Sequence, residues 1–318
     1  MRILENRMNK KILQLCFWVV CLLGTLPIWS QQDAQYTQYM YNTVSVNPAY
    51  AGSRGHLSVA ALYRNQWLGL DGAPETQTLN IHSPIGYRGV GLGLSVVNDK
   101  IGPTSETYFD VDFSYTIYTS LEGRLSFGLK ASAHMLDIRY SELDEFNIDP
   151  QLTAQQDIQN QFTPNVGAGI YYHTNNFYAG FSAPRILETN HFDESSVSTA
   201  REQVNFYLIS GYVWDLNPDL KFKPTILTKM VQGAPLQMDL SANFMFNEKF
   251  VGGVAYRWDA AFSGMFGFHL SDEMFVGLAY DREITDLGAT TFNDGSFEII
   301  VRFDFIRNLG NLKSPRFF

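Results

Sequence analysis

The sequence predicts an all-β protein, a transmembrane antiparallel β-barrel of about fourteen strands with a short N-terminal segment outside the strands. Three observations predict this fold. Apolar and polar side chains alternate along many stretches of strand length, a period typical of strands rather than helices. The connections between these stretches are sorted by length. The composition is rich in aromatic residues (14%) and poor in charged residues (17%), which suits membrane-embedded strands with aromatic girdles.

Residues 1–30 have the pattern of a secretory signal peptide. Lys10 and Lys11 precede an apolar run over residues 12–29, and Ser30 is a small residue at the expected cleavage position. The alternative is a retained membrane anchor, which is disfavoured because the run is short and is interrupted by Gly24 and Pro27. We therefore expect an exported chain that is cut after residue 30.

Removal of this segment changes the cysteine content and the charge of the chain. Both cysteines, Cys16 and Cys21, lie within it, so the mature chain is predicted to contain no disulfide. The segment carries a net charge of +3, so removing it takes the net charge from −9 to −12. An acidic chain lacks the basic footprint of a nucleic-acid-binding protein, and we expect no nucleic-acid partner.

Residues 31–55 show no clean period. They contain several tyrosines and the turn signal Asn47-Pro48. Two interpretations remain open for this segment. It either plugs the barrel or caps it on the periplasmic side.

Residues 56–306 are predicted to form the barrel. Alternation is clearest over residues 123–138, where Leu125, Phe127 and Leu129 share one face while Ser126 and Lys130 share the other. The fourteen predicted strands are 56–66, 75–83, 88–98, 105–118, 123–138, 163–172, 177–183, 201–214, 219–231, 235–247, 249–258, 261–270, 273–283 and 296–306. A C-terminal tail follows at 307–318.

The connections decide between a membrane barrel and a soluble sandwich. Those at one end are short, among them 84–87, 119–122 and 173–176, and several at the other end are long, notably 67–74, 140–162 and 284–295. Outer-membrane barrels have short periplasmic turns and longer extracellular loops, whereas a soluble sandwich has no reason to sort its connections in this way. The connections after 219–231 and 249–258 are short exceptions.

The charged residues of the strands are predicted to line the inner face. Both signs occur on strands that are expected to be neighbours, so paired charges inside the barrel are predicted, although the solvated face of a soluble sheet would look the same in isolation. These residues are Asp110, Asp112, Lys130, Lys221, Lys223, Lys229, Asp239, Arg257, Glu298, Arg302 and Asp304.

No motif predicts catalysis, a cofactor or a metal site. The glycines at 89, 91 and 93 lack the spacing and the following helix of a phosphate-binding loop, and the six histidines are scattered. An esterase built from Ser132 and His134 is disfavoured because the sequence identifies no acid to orient the histidine. The acidic stretch 141–157 lacks EF-hand spacing and is interpreted as a solvated loop.

Four separate stretches resemble the PorP/SprF family of type IX secretion system outer-membrane proteins of Bacteroidetes. They are QYTQYMYNTVSVNPAYAG at 35–52, YRNQWLGLDGAPET at 63–76, PNVGAGIYYHTNNFYAGFSAP at 164–184 and SPRFF at 314–318. The resemblance spans the mature chain in order. The residues that match the family's motifs are Gln38, Tyr39, Met40, Asn42, Asn47, Pro48, Ala49, Tyr50, Gly52, Pro315 and Arg316.

The resemblance implies a barrel in the cell outer membrane that works in protein secretion and gliding motility. Its implied partners are secreted proteins with type IX C-terminal sorting domains, which it helps to export or to retain at the surface, and periplasmic or outer-membrane secretion components. We expect partner contacts at Trp67, Leu68, Asp71 and Pro74 and in the loops 141–160 and 185–200, and lipid contacts around the barrel. The first alternative is a passive or substrate-specific channel, and the second is a soluble periplasmic β-protein.

Overall fold

The computed structural model describes residues 35–86, 89–141, 157–187, 203–285 and 293–306. The predicted signal peptide and the C-terminal tail, with Pro315 and Arg316, lie outside these residues. Most of the two loops predicted to contact a partner, 141–160 and 185–200, lies outside them as well.

The described chain folds into one closed antiparallel β-barrel. The strands are β1 Leu57–Asn65, β2 Glu75–Ile85, β3 Val90–Ile101, β4 Thr104–Tyr118, β5 Arg124–Ile138, β6 Ile158–His173, β7 Phe177–Ala183, β8 Asn205–Tyr212, β9 Trp214–Asn217, β10 Leu220–Val231, β11 Gln237–Phe246, β12 Phe250–Arg257, β13 Ala261–His269, β14 Met274–Glu283 and β15 Ser296–Phe305. β8 and β9 are a single wall strand interrupted at Val213, because both pair with β10. The wall therefore has fourteen strands, and β1 closes it by pairing with β15. The predicted fourteen-stranded barrel is confirmed.

The barrel is apolar outside and polar inside. On β5, Leu129 is 62% exposed on the outer surface, whereas its neighbour Lys130 is 3% exposed inside. β4 has the same arrangement of an exposed apolar and a buried charged side chain: Val111 is 52% exposed and Asp112 is fully buried. A soluble sheet buries its apolar face, so this distribution is that of strands surrounded by lipid. The predicted assignment of inner and outer faces is confirmed on these strands.

Most strands differ from their predicted bounds by a few residues, and two of these differences follow from the partner strand. β6 begins at Ile158 rather than at residue 163, because β5 is long enough to pair with it up to Ile138. The wall strand that starts at Asn205 continues through a predicted turn to Asn217, because Trp214 and Asp215 pair with β10. In both cases the partner strand extends a stretch whose own alternation is weak.

The connections are sorted between the two ends of the barrel. The end with the short turns, which we call the turn end, carries 86–89, 119–123, 174–176, 218–219, 247–249 and 270–273. The opposite end, which we call the loop end, carries the long connections 66–74, 139–157, 184–204 and 284–295. Three loop-end connections are short: the predicted exceptions at 232–236 and 258–260, and also 102–103.

The N-terminal segment lies inside the barrel as a chain of short helical turns. A 3-10 turn Tyr39–Tyr41, the helix α1 Thr43–Val46 and a second 3-10 turn Pro48–Tyr50 follow one another. Nearly every residue from 36 to 51 is buried. Among the residues that the structure describes, no helix is long and apolar enough to cross a membrane.

Candidate functional site

The N-terminal segment crosses the lumen from the loop end to the turn end. At the loop end, the side-chain amides of Gln35 and Gln237 bond to each other, the Gln237 Nε2 lying 3.0 Å from the Gln35 Oε1. At the turn end, the Arg54 guanidinium lies 2.9 Å from the Asp304 carboxylate. Gln237 is the first residue of β11 and Asp304 the next to last of β15. The segment therefore occupies the full length of the barrel interior.

A buried cluster that we call the anchor holds the segment near the loop end. The Glu298 carboxylate accepts the backbone N–H of Thr37 at 2.9 Å and of Gln38 at 2.8 Å. Arg64 donates to Glu298 at 3.2 Å and lies 2.7 Å from Asp281. Asp281 in turn accepts the Thr37 hydroxyl at 2.6 Å. Glu298 is fully buried and Arg64 is 1% exposed, so these are charge-assisted bonds in a dry site.

Asn47 fixes the middle of the segment. Its Oδ1 accepts the backbone N–H of Ala49 at 3.0 Å, which caps the second 3-10 turn, and its Nδ2 donates to the Ile170 carbonyl at 3.0 Å. Gly128 of β5 lies directly behind this turn, because a Cβ at that position would collide with the Ala49 backbone. The Asn47-Pro48 signal of the sequence is thus one of the points at which the segment touches the wall.

Gly52 brings the segment against the wall at the turn end. Its φ of +74° is in the left-handed region, and an added Cβ would lie 2.9 Å from the Cα of Gly91. Only glycine satisfies both conditions. Two residues later, burial alone would lower the pKa of Arg54, and the Asp304 carboxylate more than reverses this, so the pKa is raised.

The tyrosines of the segment pack across the lumen. Tyr39 shares a hydrogen bond of 2.8 Å with Thr225 of β10, and Tyr36 shares one of 3.2 Å with Thr78 of β2. The Tyr41 ring lies 4.7 Å from that of Phe275. These contacts join the segment to β2, β10 and β14.

The other described residues of the family motif are equally enclosed. The Asn42 side chain accepts a bond from Asn80 of β2, Met40 is 3% exposed, and Tyr50 is 7% exposed with its ring 5.3 Å from that of Tyr171. These residues contact the inside of the barrel and present little surface to a partner.

The predicted charge pairs occur inside the barrel on neighbouring strands. Lys130 on β5 lies 2.9 Å from Asp110 and 3.4 Å from Asp112, both on β4. Arg257 on β12 lies 2.7 Å from Asp239 on β11. Lys221 is the least enclosed of the predicted inner-face charges, with its side chain 21% exposed beside Glu248 at the turn end.

Ser132 and His134 do not form a nucleophile and base pair. The Ser132 hydroxyl donates to Asp110 at 2.6 Å, whereas the His134 ring stacks on Tyr108 at 4.2 Å and its Nε2 lies 3.4 Å from Glu106. Within the described ranges, no group of three side chains is placed to hold a metal ion.

The four residues predicted to contact a partner lie in the connection 66–74 at the loop end. Trp67 has a φ of +50°, unusual for a bulky residue, and its indole N–H donates to Glu283. The Leu68 N–H donates to the Gly295 carbonyl at 2.8 Å and the Leu68 carbonyl accepts from Asp294 at 2.8 Å. Asp71 is exposed, whereas Pro74 is buried.

These bonds join two loop-end connections into one surface. Trp67 and Leu68 bond to residues 294–296, so they are held by the end of the connection that precedes β15 and by the first residue of that strand. Leu70 is 39% exposed at the rim. The sequence did not identify the anchor residues Arg64 and Asp281 as important. Arg64 lies in the stretch 63–76 that resembles the family, and Asp281 is a charge on the inner face of an otherwise ordinary strand.

Comparison with known proteins finds solved structures of similar fold and one matching family. The fold is similar to the outer membrane protein Omp33 of Acinetobacter baumannii (TM-score 0.47, 9% identity, covering 79% of this chain and 98% of that one). It is also similar to the CymD monoaromatic hydrocarbon channel (TM-score 0.48, 12% identity, covering 85% and 92%). No curated protein matches the sequence. The model of one family, described as type IX secretion system membrane protein PorP/SprF, matches residues 28–303. The chain therefore belongs to the PorP/SprF family of type IX secretion system membrane proteins, and it is a β-barrel of the outer membrane.

Proposed function

We propose that this barrel is a non-enzymatic component of the type IX secretion and gliding-associated system. It binds the C-terminal sorting domain of a secreted protein at its loop end, for export or for retention at the cell surface. The observation that carries the proposal is the occupied lumen. Residues 35–54 span it from Gln237 to Asp304, so the activity is assigned to the surface of the barrel rather than to a pore.

The surface formed by residues 66–74 and 293–296 is the candidate docking site. Membrane barrels of this kind have their turns in the periplasm, which places the loop end outside the cell, where a secreted partner arrives. Backbone bonds between the two connections keep the surface rigid. A rigid surface binds with a smaller entropic cost than a flexible loop does. Periplasmic secretion components are the second class of partner, at the turn end.

Affinity purification of the tagged protein from detergent-solubilised outer membrane, with mass spectrometry, tests this proposal. We expect a large secreted protein that carries a type IX sorting domain. The variant Asp71→Arg, which places an opposite charge on an exposed position, should reduce its recovery. The matched control is Trp258→Ala, since Trp258 is 55% exposed in another loop-end connection and should retain the partner.

Other results would redirect or contradict the proposal. Recovery of periplasmic components alone would assign the barrel to the structural part of the secretion machinery. The alternative function is a passive or substrate-specific channel. An open conductance of the purified protein in planar bilayers, together with no bound protein, would support that channel and contradict the docking role.

A further inference from the structure

The outer surface of the barrel has an apolar groove on β4–β7. Its volume is about 520 Å³. The aromatic rings of Phe113, Phe127 and Phe181 form its walls, and Ala168 and Ala183 are among the small residues of its floor. Phe113, Phe127 and Phe181 are each between 40% and 48% exposed, so these rings stand outward around the groove.

The groove lies beside the end of β7. β6 runs from Ile158 to His173, but only Ala168 to His173 pair with β7, which ends at Ala183. The chain then turns inward, and Pro184 packs against the inner side of Gly167, where an added Cβ would collide with it. The chain returns to β6 at Ile186, whose N–H donates to the Val166 carbonyl at 2.8 Å. The recess beside Ala168 is therefore floored by small residues that lie between large rings.

The groove lies in the half of the barrel next to the turn end. Phe127 is the fourth residue of β5 counted from that end, and Ala168 is the sixth residue of β6. Phe113 is likewise the sixth residue of β4 from the same end. These positions lie within the apolar band of roughly 25 Å that surrounds such barrels, on the side of the periplasmic leaflet.

We propose that this groove binds one acyl chain of a glycerophospholipid from the periplasmic leaflet. Its walls and floor are hydrocarbon, it faces the lipid, and its depth corresponds to that leaflet. A flexible acyl chain fits a recess between aromatic rings, where dispersion contacts with the rings replace contacts with other lipid chains. This inference goes beyond the proposed docking function, because it concerns the lipid face and not the loop end.

The bound chain would stiffen the wall behind the N-terminal segment. Gly128 and Gly169 line the groove with their outer backbone. Their inner sides contact Ala49 and Asn47. The lipid and the segment thus touch the same two strands from opposite faces, and at these glycines no side chain separates them.

Native mass spectrometry of the purified protein tests this proposal. We expect about one phospholipid to be retained per barrel. The variant Ala168→Phe fills the groove and should lower that retention about tenfold, which corresponds to roughly 1.4 kcal/mol of lost contact. The control is Gly264→Phe, because a Cβ at this outward position on β13 meets no atom within 4 Å; it should retain the lipid. Folding of each variant is checked by its heat-modifiable gel mobility.

A second measurement keeps the proposal testable if Ala168→Phe fails to fold. Phe181 is replaced by the photo-crosslinking residue p-benzoylphenylalanine, and cells are irradiated. A phospholipid adduct supports the proposal. A protein adduct, a lipopolysaccharide adduct, no adduct at all, or equal lipid retention in Ala168→Phe and wild type would overturn it.

Discussion

Removal of the negative charge from Glu298 should release the N-terminal segment from the barrel wall. The variant Glu298→Gln keeps the size of the side chain and removes its charge. In the wild type this carboxylate accepts three bonds, from the N–H groups of Thr37 and Gln38 and from Arg64. A glutamine has one acceptor oxygen and turns its NH₂ group towards donors. At least one N–H group therefore loses its acceptor, and Arg64 keeps Asp281 as its only charged partner in the anchor.

The magnitude follows from the burial of the anchor. A hydrogen bond to a charged group contributes about 1.5–3 kcal/mol, and removal of one partner of a buried ion pair costs about 3–5 kcal/mol. These contributions overlap, so we expect Glu298→Gln to lower the free energy of unfolding by about 3–5 kcal/mol. A change of this size raises the population of the released segment by a factor on the order of 10² to 10⁴.

Two assays measure this change. Denaturant unfolding of the barrel in detergent should show a lower midpoint for Glu298→Gln, and planar-bilayer recordings should show openings that the wild type lacks. The control is Glu248→Gln, whose side chain is 49% exposed beside Lys221 and should change stability by less than about 1 kcal/mol. Equal unfolding midpoints and equal conductance for Glu298→Gln and wild type would refute the role of the anchor.

Two further predictions concern the wall and the loop end. Gly128→Ala should destabilise the barrel by about 1–3 kcal/mol through overpacking against the Ala49 backbone. The control Gly252→Ala has open space around its Cβ and should unfold like the wild type. The unfolding midpoints of the two variants in denaturant measure the difference. The Ser141 N–H and hydroxyl groups lower the pKa of Asp157, so their contact should persist above about pH 4 and be lost at more acidic pH. A pH series of hydrogen exchange at Ser141 that showed protection lost already near pH 6 would contradict this.

The barrel itself was predictable because its signal is local. The alternation of Phe127 and Leu129 with Lys130 is visible from adjacent residues alone, and it assigns both faces of the strand. Short turns at one end of the barrel are equally visible in the sequence. The bounds of β6 and β9 were not predictable, because each is extended by its partner strand rather than by its own residues.

The position of the N-terminal segment could not be derived from the sequence. A plug and a periplasmic cap were both open, since residues 31–55 have no period to interpret. The deciding contacts join residues far apart in the chain: Thr37 to Glu298, and Asn47 to Ile170. Arg64 meets Asp281 only because the first and last strands close the ring. Such pairings depend on the completed topology.

The most direct test of the account is the accessibility of the two ends of the segment in intact cells. Both cysteines lie in the predicted signal peptide, so single-cysteine variants can be labelled with a membrane-impermeant maleimide. Asp71→Cys serves as the loop-end reference. We predict that Gln35→Cys is labelled on intact cells like Asp71→Cys, whereas Gly55→Cys is labelled only after the outer membrane is opened. Labelling of Gln35→Cys only in opened cells would contradict a segment that runs through the lumen to the cell surface.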